Sequence, residues 1–191
     1  MIHAPARRLL AALAVCAALS PAGAAADAPP AERPNPYVSG SIETLVHGVY
    51  CAEGPVELEE APGTAAGVVN IVPGLPEMRA VTTLVPARIG VGFGVLVTPA
   101  PGAVSGPVDV TITHPPYPDS GIEVERWSTL LEGGRPGLVG FSFELESELV
   151  PGPWRIEGRD GGALLFDVRF EVVPAAALPD LAQGCSGAVL S

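Results

Sequence analysis

The sequence contains no lysine. All 10 basic residues among its 191 are arginines, whereas 21 residues are acidic, and the formal net charge is −11. Without lysine, the chain cannot form a Schiff base, hold a pyridoxal cofactor or build a lysine-containing phosphate loop. The sequence also predicts no nucleic-acid partner and no anionic membrane surface as a partner, because both attract clustered positive charge.

A long hydrophobic run is missing as well. The apolar stretch Leu9–Leu19 is shorter than the roughly 18 to 20 residues that span a bilayer, and no later stretch reaches that length. It follows Arg7 and Arg8 and precedes the small residues Ala22–Ala26, an order typical of a secretory signal peptide. We therefore predict a signal peptide over residues 1–26, no transmembrane segment, and a periplasmic or secreted mature protein.

Cysteine is scarce, with 3 residues in the whole chain. Two of them, Cys51 and Cys185, follow the predicted signal peptide, one near the beginning and one near the end of the mature chain. In an oxidising compartment, two such cysteines are more often paired than free. We predict a Cys51–Cys185 disulfide, and the alternative is two free thiols.

Glycine and proline are abundant, with 23 and 22 residues, and they separate short runs of alternating apolar and polar side chains. Such runs are typical of half-buried strands joined by turns. The main predicted strands are Ile42–Tyr50, Arg79–Val85, Ile89–Thr98, Val108–Thr113 and Phe141–Leu145. The spacing predicts an all-β fold, an immunoglobulin-like two-sheet β-sandwich of about seven to nine strands.

The clearest local unit is a hairpin near the end. Trp154 and Ile156 alternate with charged residues, Asp160-Gly161-Gly162 can turn the chain, and a second alternating run follows at Phe166–Val172. This pattern predicts two paired strands that each present an apolar face.

The remaining segments complete the predicted domain organisation. Residues 27–40, rich in proline, alanine and charge, predict a flexible leader. Residues 41–174 form the predicted β-sandwich domain, and residues 175–191 form a C-terminal tail with one helical turn at Pro179–Gln183.

Three blocks of sequence resemble one bacterial family. They are Val81–Gly94 (VTTLVPARIGVGFG), His114–Asp119 (HPPYPD) and Gly152–Trp154 (GPW). Their order and spacing are similar to those of the family called domain of unknown function 3859, over residues 37–174. The resemblance supports the predicted fold. It implies no catalytic residues, because the family has no established activity.

Three acidic residues alternate along a predicted strand. Glu144, Glu146 and Glu148 would lie about 7 Å apart on one face, within the range for the two carboxylates of a glycoside hydrolase. On an exposed sheet face, however, neither carboxyl group would hold its proton at neutral pH, as a general acid must. We interpret them as solvated surface and retain a hydrolase that uses Glu144 and Glu146 as an alternative function.

A metal site finds little support. His47 and Cys51 share strand parity, but two ligands fall short of the three or four that zinc sites use. His114 and Cys185 are distant in sequence and could join them through the fold alone. The sequence predicts no metal, no cofactor and no catalytic residue.

Surface contacts are predicted at five residues: Arg126, Trp127, Phe93, Tyr117 and His114. Trp127 follows Arg126 where the strand alternation breaks, as at a bulge, and His114 and Tyr117 belong to a rigid proline-rich loop. Two positions stay open between alternatives. Trp127 is either exposed or packed in the core beside Trp154, and Phe93 is either core or part of a shallow patch.

Three glycines occur at alternate positions in the segment that contains Phe93. Gly90, Gly92 and Gly94 precede no helix and so do not form a dinucleotide-binding fingerprint. Their predicted role is steric, because a glycine in a strand lets another backbone or a large ring approach closely.

The predicted function is therefore a non-enzymatic, exported β-sandwich module that binds a protein or an envelope polymer. The alternatives are the hydrolase described above and a proteinase inhibitor of immunoglobulin-like fold, with His114–Asp119 as its inserted loop. A convergence of Trp127, Phe93 and Tyr117 on one exposed patch would single out the binding surface.

Overall fold

The computed structural model describes Met1, residues 33–104 and residues 106–185. The predicted signal peptide, residues 1–26, lies outside these residues apart from Met1. The described chain forms eleven strands, two turns of 3-10 helix (Glu146–Glu148 and Ala175–Ala177) and the helix α1 (Pro179–Gly184). The strands are β1 Tyr37–Val38, β2 Ile42–Cys51, β3 Glu57–Glu60, β4 Val68–Ile71, β5 Leu84–Ala87, β6 Val91–Pro99, β7 Pro107–Thr113, β8 Val124–Leu130, β9 Gly137–Ser142, β10 Gly152–Asp160 and β11 Ala163–Pro174.

The strands form two stacked sheets and a separate hairpin. The larger sheet has the order β1-β11-β10-β7-β8, and β5 pairs with β11 in parallel. The smaller sheet has the order β2-β6-β9, and β3 pairs with β4. All pairs except β5–β11 are antiparallel. The predicted all-β sandwich is confirmed, and the strand number is slightly higher because β1, β3 and β4 are short strands outside the alternating runs.

Strand β7 shows how the sequence pattern produces the layers. Val108, Val110 and Ile112 are buried. Asp109, which lies between the two valines, and Thr113, which follows Ile112, face solvent. Because successive side chains of a strand point to opposite faces, this alternation places one face of the larger sheet on the core and leaves the other in water.

The core between the sheets is aromatic at its centre. Phe93 of β6 is fully buried, and its ring lies 5.1 Å from that of Phe170 on β11 and 5.5 Å from that of Trp154 on β10. Edge-to-face contacts of this kind add to the free energy gained by burying the rings. They join the smaller sheet to the larger one.

The glycine at position 92 has the predicted steric role. The ring of Tyr50 occupies the space that a β-carbon of Gly92 would fill, and the Tyr50 hydroxyl group lies over Gly140 on the other side of β6. The absence of side chains at both glycines therefore allows a large ring to lie flat across the smaller sheet.

The predicted hairpin of β10 and β11 is confirmed. Trp154 lies opposite Phe170 and Ile156 opposite Val168. Gly161 and Gly162 turn the chain with φ angles of 53° and 86°, a region that favours glycine.

Three local predictions are wrong. The strand predicted at Arg79–Val85 begins only at Leu84, as β5. The strand predicted at Phe141–Leu145 ends at Ser142, before the turn Glu146–Glu148. No bulge occurs at Trp127, since β7 and β8 pair in continuous register from Val124 to Leu130. Propensity identifies strand-forming residues, but the partner strand determines where pairing begins and ends.

Segments before and after the main strands are both attached to the sandwich. Two parts of the predicted leader contact β11. Strand β1 pairs with it, and the Asn35 side chain donates a hydrogen bond to the carbonyl oxygen of Arg169 (2.9 Å) and accepts one from the backbone amide of Arg169 (2.8 Å). At the other end, the predicted helical turn is present as α1. It precedes Cys185, which forms the predicted disulfide with Cys51. Among the described residues, no helix has the length and apolar character needed to cross a membrane.

Candidate binding groove

A groove of about 440 Å³ opens where the two sheets end side by side. Strand β8 is an edge of the larger sheet, β9 is an edge of the smaller sheet, and the β3–β4 hairpin lies across the opening. Its volume is within the usual range for ligand sites. We call this space the edge groove, and its apolar lining includes Trp127, Phe141, Leu138, Val69 and Leu75.

Trp127 belongs to the inner face of β8. It lies opposite the buried Val110 of β7, and Glu125 and Thr129 share its face. Because β8 is an edge strand, the smaller sheet covers this face incompletely, and Trp127 stays half-buried. The indole ring therefore packs partly against the core and partly lines the edge groove.

Arg126 points the other way. Its side chain is exposed on the outer face of the larger sheet, where it lines a second hollow together with Asp109 and Glu60. Its backbone amide donates a 2.8 Å hydrogen bond to the carbonyl oxygen of Gly63, in the loop that joins β3 to β4. Arg126 and Trp127 thus mark the two faces of one edge strand.

The charged lining of the edge groove is acidic. Within the described part of the chain, its charged lining residues are glutamates and include no arginine: Glu53, Glu59, Glu125, Glu144 and Glu148. Burial raises the pKa of Glu148, and two backbone amides that donate to its carboxylate oppose this effect. The groove is therefore a region of negative potential with an aromatic wall.

Glu125 is the buried member of this set and joins three segments. Its Oε1 accepts a 2.7 Å hydrogen bond from the Tyr117 hydroxyl group, and its Oε2 accepts a 2.8 Å bond from the backbone amide of Ala65. The Nε2 atom of His114 lies 3.5 Å from the same Oε1. These contacts hold the loop between β3 and β4 and the proline-rich loop against β8.

Burial and the neighbouring polar groups together determine the pKa values in this network. Burial raises the pKa of Glu125, but the neighbouring imidazole, amide and hydroxyl groups lower it by more, so that it lies below its ordinary value. Burial and the carboxylate of Glu125 together raise the pKa of Tyr117 well above its ordinary value. Glu125 is therefore held as an anion and Tyr117 as a neutral donor.

Three of the predicted contact residues are buried. Phe93 is in the aromatic core, and His114 is stacked between the rings of Tyr117 (4.1 Å) and Trp154 (4.5 Å). The hypothesis of one exposed patch formed by Trp127, Phe93 and Tyr117 is therefore wrong, because large rings fill the space between the sheets. The placement of Trp127 beside Trp154 is also not found, since the described rings in contact with Trp154 do not include Trp127.

Two side chains anchor the proline-rich loop in the core, whereas Pro116, Pro118 and Asp119 are exposed. Its His114 and Tyr117 are 4% exposed each, and the Nδ1 atom of His114 is 2.8 Å from the carbonyl oxygen of Pro115. An inhibitor loop inserted at His114–Asp119 would have to be exposed to enter a protease cleft. The rings of His114 and Tyr117 are therefore not available for such a contact, and the exposed part of the loop is Pro116, Pro118 and Asp119.

The paired-carboxylate arrangement is also absent. Glu144 and Glu146 are both exposed, and Glu146 belongs to a 3-10 turn rather than to the strand face that it would share with Glu144. Neither carboxyl group is in the apolar environment that a general acid needs. The described residues also contain no group of three His, Cys, Asp or Glu side chains arranged to hold a metal ion.

The edge groove and its buried glutamate were not predicted from the sequence. The groove is built from segments around residues 69, 127 and 139, which no sequence spacing brings together. One signal was available: Glu125 has the strand parity of Trp127, so a carboxylate on the inner face could have been expected.

Comparison with known proteins places the chain in a known group. The family model described as Domain of unknown function (DUF3859) matches residues 39–172. No curated protein is significantly similar to the chain. Among solved structures, an immunoglobulin-like protein from Pseudomonas aeruginosa is similar, with a TM-score of 0.46 and 22% sequence identity over 74% of this chain and 98% of that chain.

Proposed function

The chain belongs to the family described as Domain of unknown function (DUF3859), and on this premise we propose that it is a non-enzymatic, exported module that binds another macromolecule through the edge groove. The observation that carries the proposal is Trp127. It is a half-buried indole on an open sheet edge, facing a groove of about 440 Å³. Tryptophan is among the residues that contribute most to binding at protein interfaces.

The charge of the groove supports a positively charged ligand. Five glutamates line it, and the chain as a whole carries a formal net charge of −11. An anionic polymer would be repelled by this potential, whereas a basic polypeptide would be attracted and oriented by it. Of the two partner classes considered, protein and envelope polymer, the groove chemistry favours protein.

Export is supported by two features. The first 26 residues have the charge, apolar run and small residues of a secretory signal, and the Cys51–Cys185 disulfide is the kind of bond that forms in oxidising compartments. Fractionation of cells that express the full chain, followed by N-terminal analysis, tests this part. A protein that retains Met1 and stays in the cytoplasm would contradict it.

Binding is tested by titration with three defined probes: poly-L-arginine, poly-L-glutamate and soluble peptidoglycan fragments. We expect the wild-type protein to bind poly-L-arginine, and Trp127→Ala to weaken this binding by about tenfold or more, as loss of a tryptophan hot spot does. Val81→Ala is the matched control, because Val81 is a hydrophobic residue with 68% exposure that does not line the groove. Binding of no probe, or equal affinity in the Trp127→Ala and wild-type proteins, would overturn the proposal.

A further inference from the structure

We propose that the occupant of the edge groove is an extended polypeptide, with basic side chains at alternate positions, that joins the larger sheet as a further strand beside β8. This inference rests on the proposed function and specifies its ligand. It names the part of β8 that forms the contact, Ser128–Leu130, and the backbone hydrogen bonds through which the segment attaches.

The register of β8 shows which backbone groups are open. The amide of Arg126 donates to Gly63, on the side away from β7. In an antiparallel pair, residues alternate between bonding the partner strand and facing away from it. Ser128 and Leu130 therefore also turn their amide and carbonyl groups away from β7. Among the described residues, these four groups have no hydrogen-bond partner.

The stretch Ser128–Leu130 contains no lysine, no proline and no bulge. Natural edge strands are commonly blocked by lysine, proline, a bulge or a covering segment. The β3–β4 hairpin contacts the edge at Arg126, whereas Ser128–Leu130 pairs with β7 in regular register and Leu130 is 81% exposed. An open edge with four unpaired backbone groups is the feature that strand addition uses.

Space for side chains exists on both faces of this edge. The edge groove lies on the inner face, at Trp127 and Thr129, and the second hollow lies on the outer face, at Arg126 and Asp109. The side chains of an added strand alternate between the two faces. Every second residue of the ligand would thus enter the edge groove.

The residues at the groove select cationic side chains. An arginine that enters the groove can lie over the indole of Trp127 while its guanidinium group faces the exposed carboxylates of Glu53 and Glu59. A second copy of the chain is a poor occupant, because its net charge of −11 would meet the same glutamates. Charge complementarity therefore selects a foreign, basic segment.

The test uses an acetylated and amidated hexapeptide that alternates valine and arginine. Two derivatives are compared with it, one N-methylated at the three valine amides and one at the three arginine amides. In an added strand, the amides of one set face β8 and those of the other set face away. We expect one derivative to bind at least about tenfold more weakly than the other, because N-methylation removes its donors to β8.

A neutral peptide and two protein variants test the charge. Citrulline in place of arginine should abolish binding, and Glu53→Gln combined with Glu59→Gln should weaken binding of the arginine peptide by about tenfold. Glu43→Gln combined with Glu146→Gln is the matched control, since these exposed glutamates do not line the groove. It should leave the affinity unchanged.

The outcomes separate this inference from the proposed function. Equal affinities of the two N-methylated peptides, with binding that still depends on Trp127, would overturn strand addition and leave the groove as the binding site. No binding of the unmodified hexapeptide would overturn the basic, extended ligand, whereas the polymer titrations decide the proposed function separately. Assembly of the protein into dimers that Leu130→Glu dissociates would also overturn the inference, because a second copy would then occupy the edge.

Discussion

The hydroxyl group of Tyr117 donates a 2.7 Å hydrogen bond to the carboxylate of Glu125, and both residues are buried. This bond connects the proline-rich loop to the edge strand β8. The same carboxylate accepts a hydrogen bond from the backbone amide of Ala65, so that one ionised group fixes the proline-rich loop, the edge strand and the loop that joins β3 to β4. Four predictions follow from this network and from the surrounding core.

Replacing the Tyr117 hydroxyl group should destabilise the fold. In Tyr117→Phe the ring stacking on His114 is kept, but the buried carboxylate loses a donor, and we expect a loss of about 2 kcal/mol in the free energy of unfolding. Urea denaturation measures this loss. Tyr37→Phe, which removes a hydroxyl group from a half-exposed ring, is the control and should cost less than about 0.5 kcal/mol. Equal effects of the two substitutions would show that the Tyr117–Glu125 bond contributes little.

Glu125 should make the stability depend on acid. Because its pKa in the folded state is below its ordinary value of 4.5, the unfolded chain binds the proton more readily. Its contribution is therefore present above the unfolded value and is lost as the pH falls through the folded value. The difference in unfolding free energy between wild type and Glu125→Gln should be constant well above pH 4.5 and should shrink as the pH falls below 4.5 through the lowered pKa of the folded state.

The neighbouring Glu148 acts in the opposite direction. Its pKa is raised, so its ionisation opposes folding as the pH rises above the ordinary value. Because this residue is present in both proteins, its effect largely cancels in the difference. Stability curves of wild type and Glu125→Gln that run parallel across the acid range would contradict the assignment of a lowered pKa to Glu125.

The Cys51–Cys185 disulfide should contribute substantially to stability. It links residues 134 positions apart, and a loop of this length predicts stabilisation of about 5 kcal/mol in the chain-entropy treatment. The double variant Cys51→Ala and Cys185→Ala should lose about this amount in thermal or urea unfolding, and reduced wild type should match it. Mass spectrometry after alkylation without reductant should label neither cysteine. Labelling of both would refute the bond.

An alanine at position 92 should not fit. Its β-carbon would occupy the position of the Tyr50 ring, and displacement of a buried ring in a packed core costs about 2 to 3 kcal/mol. Gly40→Ala is the matched control, because its added β-carbon meets no atom within 4 Å, and it should be neutral within about 0.5 kcal/mol. A Gly92→Ala protein as stable as wild type would show that Tyr50 moves freely.

The fold was predictable where the information is local. The alternation of Val108, Val110 and Ile112 and the turn at Gly161-Gly162 depend on neighbouring residues, and the structure agrees with both. The hairpin β3–β4 was not predicted, because all four residues of β3 are exposed and carry no apolar period. Its position depends on Gly63 and Ala65 contacting β8, 63 and 60 positions away.

The candidate site was less predictable, for a related reason. In a sequence, aromatic residues are the first candidates for a binding surface. In a chain with only 5% aromatics, however, most of the large rings are needed in the core, where Phe93 and Trp154 are buried. Trp127 differs because β8 is an edge strand, and the order of strands in a sheet is not visible in the alternation of one strand. The edge groove depends on that order.

The position of β11 affects how the protein can be made. This strand is the last one in the part of the chain that the structure describes, yet it lies inside the larger sheet and pairs with β1, β5 and β10. A chain that emerges amino end first therefore lacks the strand that joins these three until residue 174 has been synthesised. Pairings between distant segments form slowly, and an incomplete sheet exposes unpaired edges. Completion of the larger sheet is therefore a late event in synthesis, and a chain that stops at the β10–β11 turn would lack the strand with which β1, β5 and β10 pair.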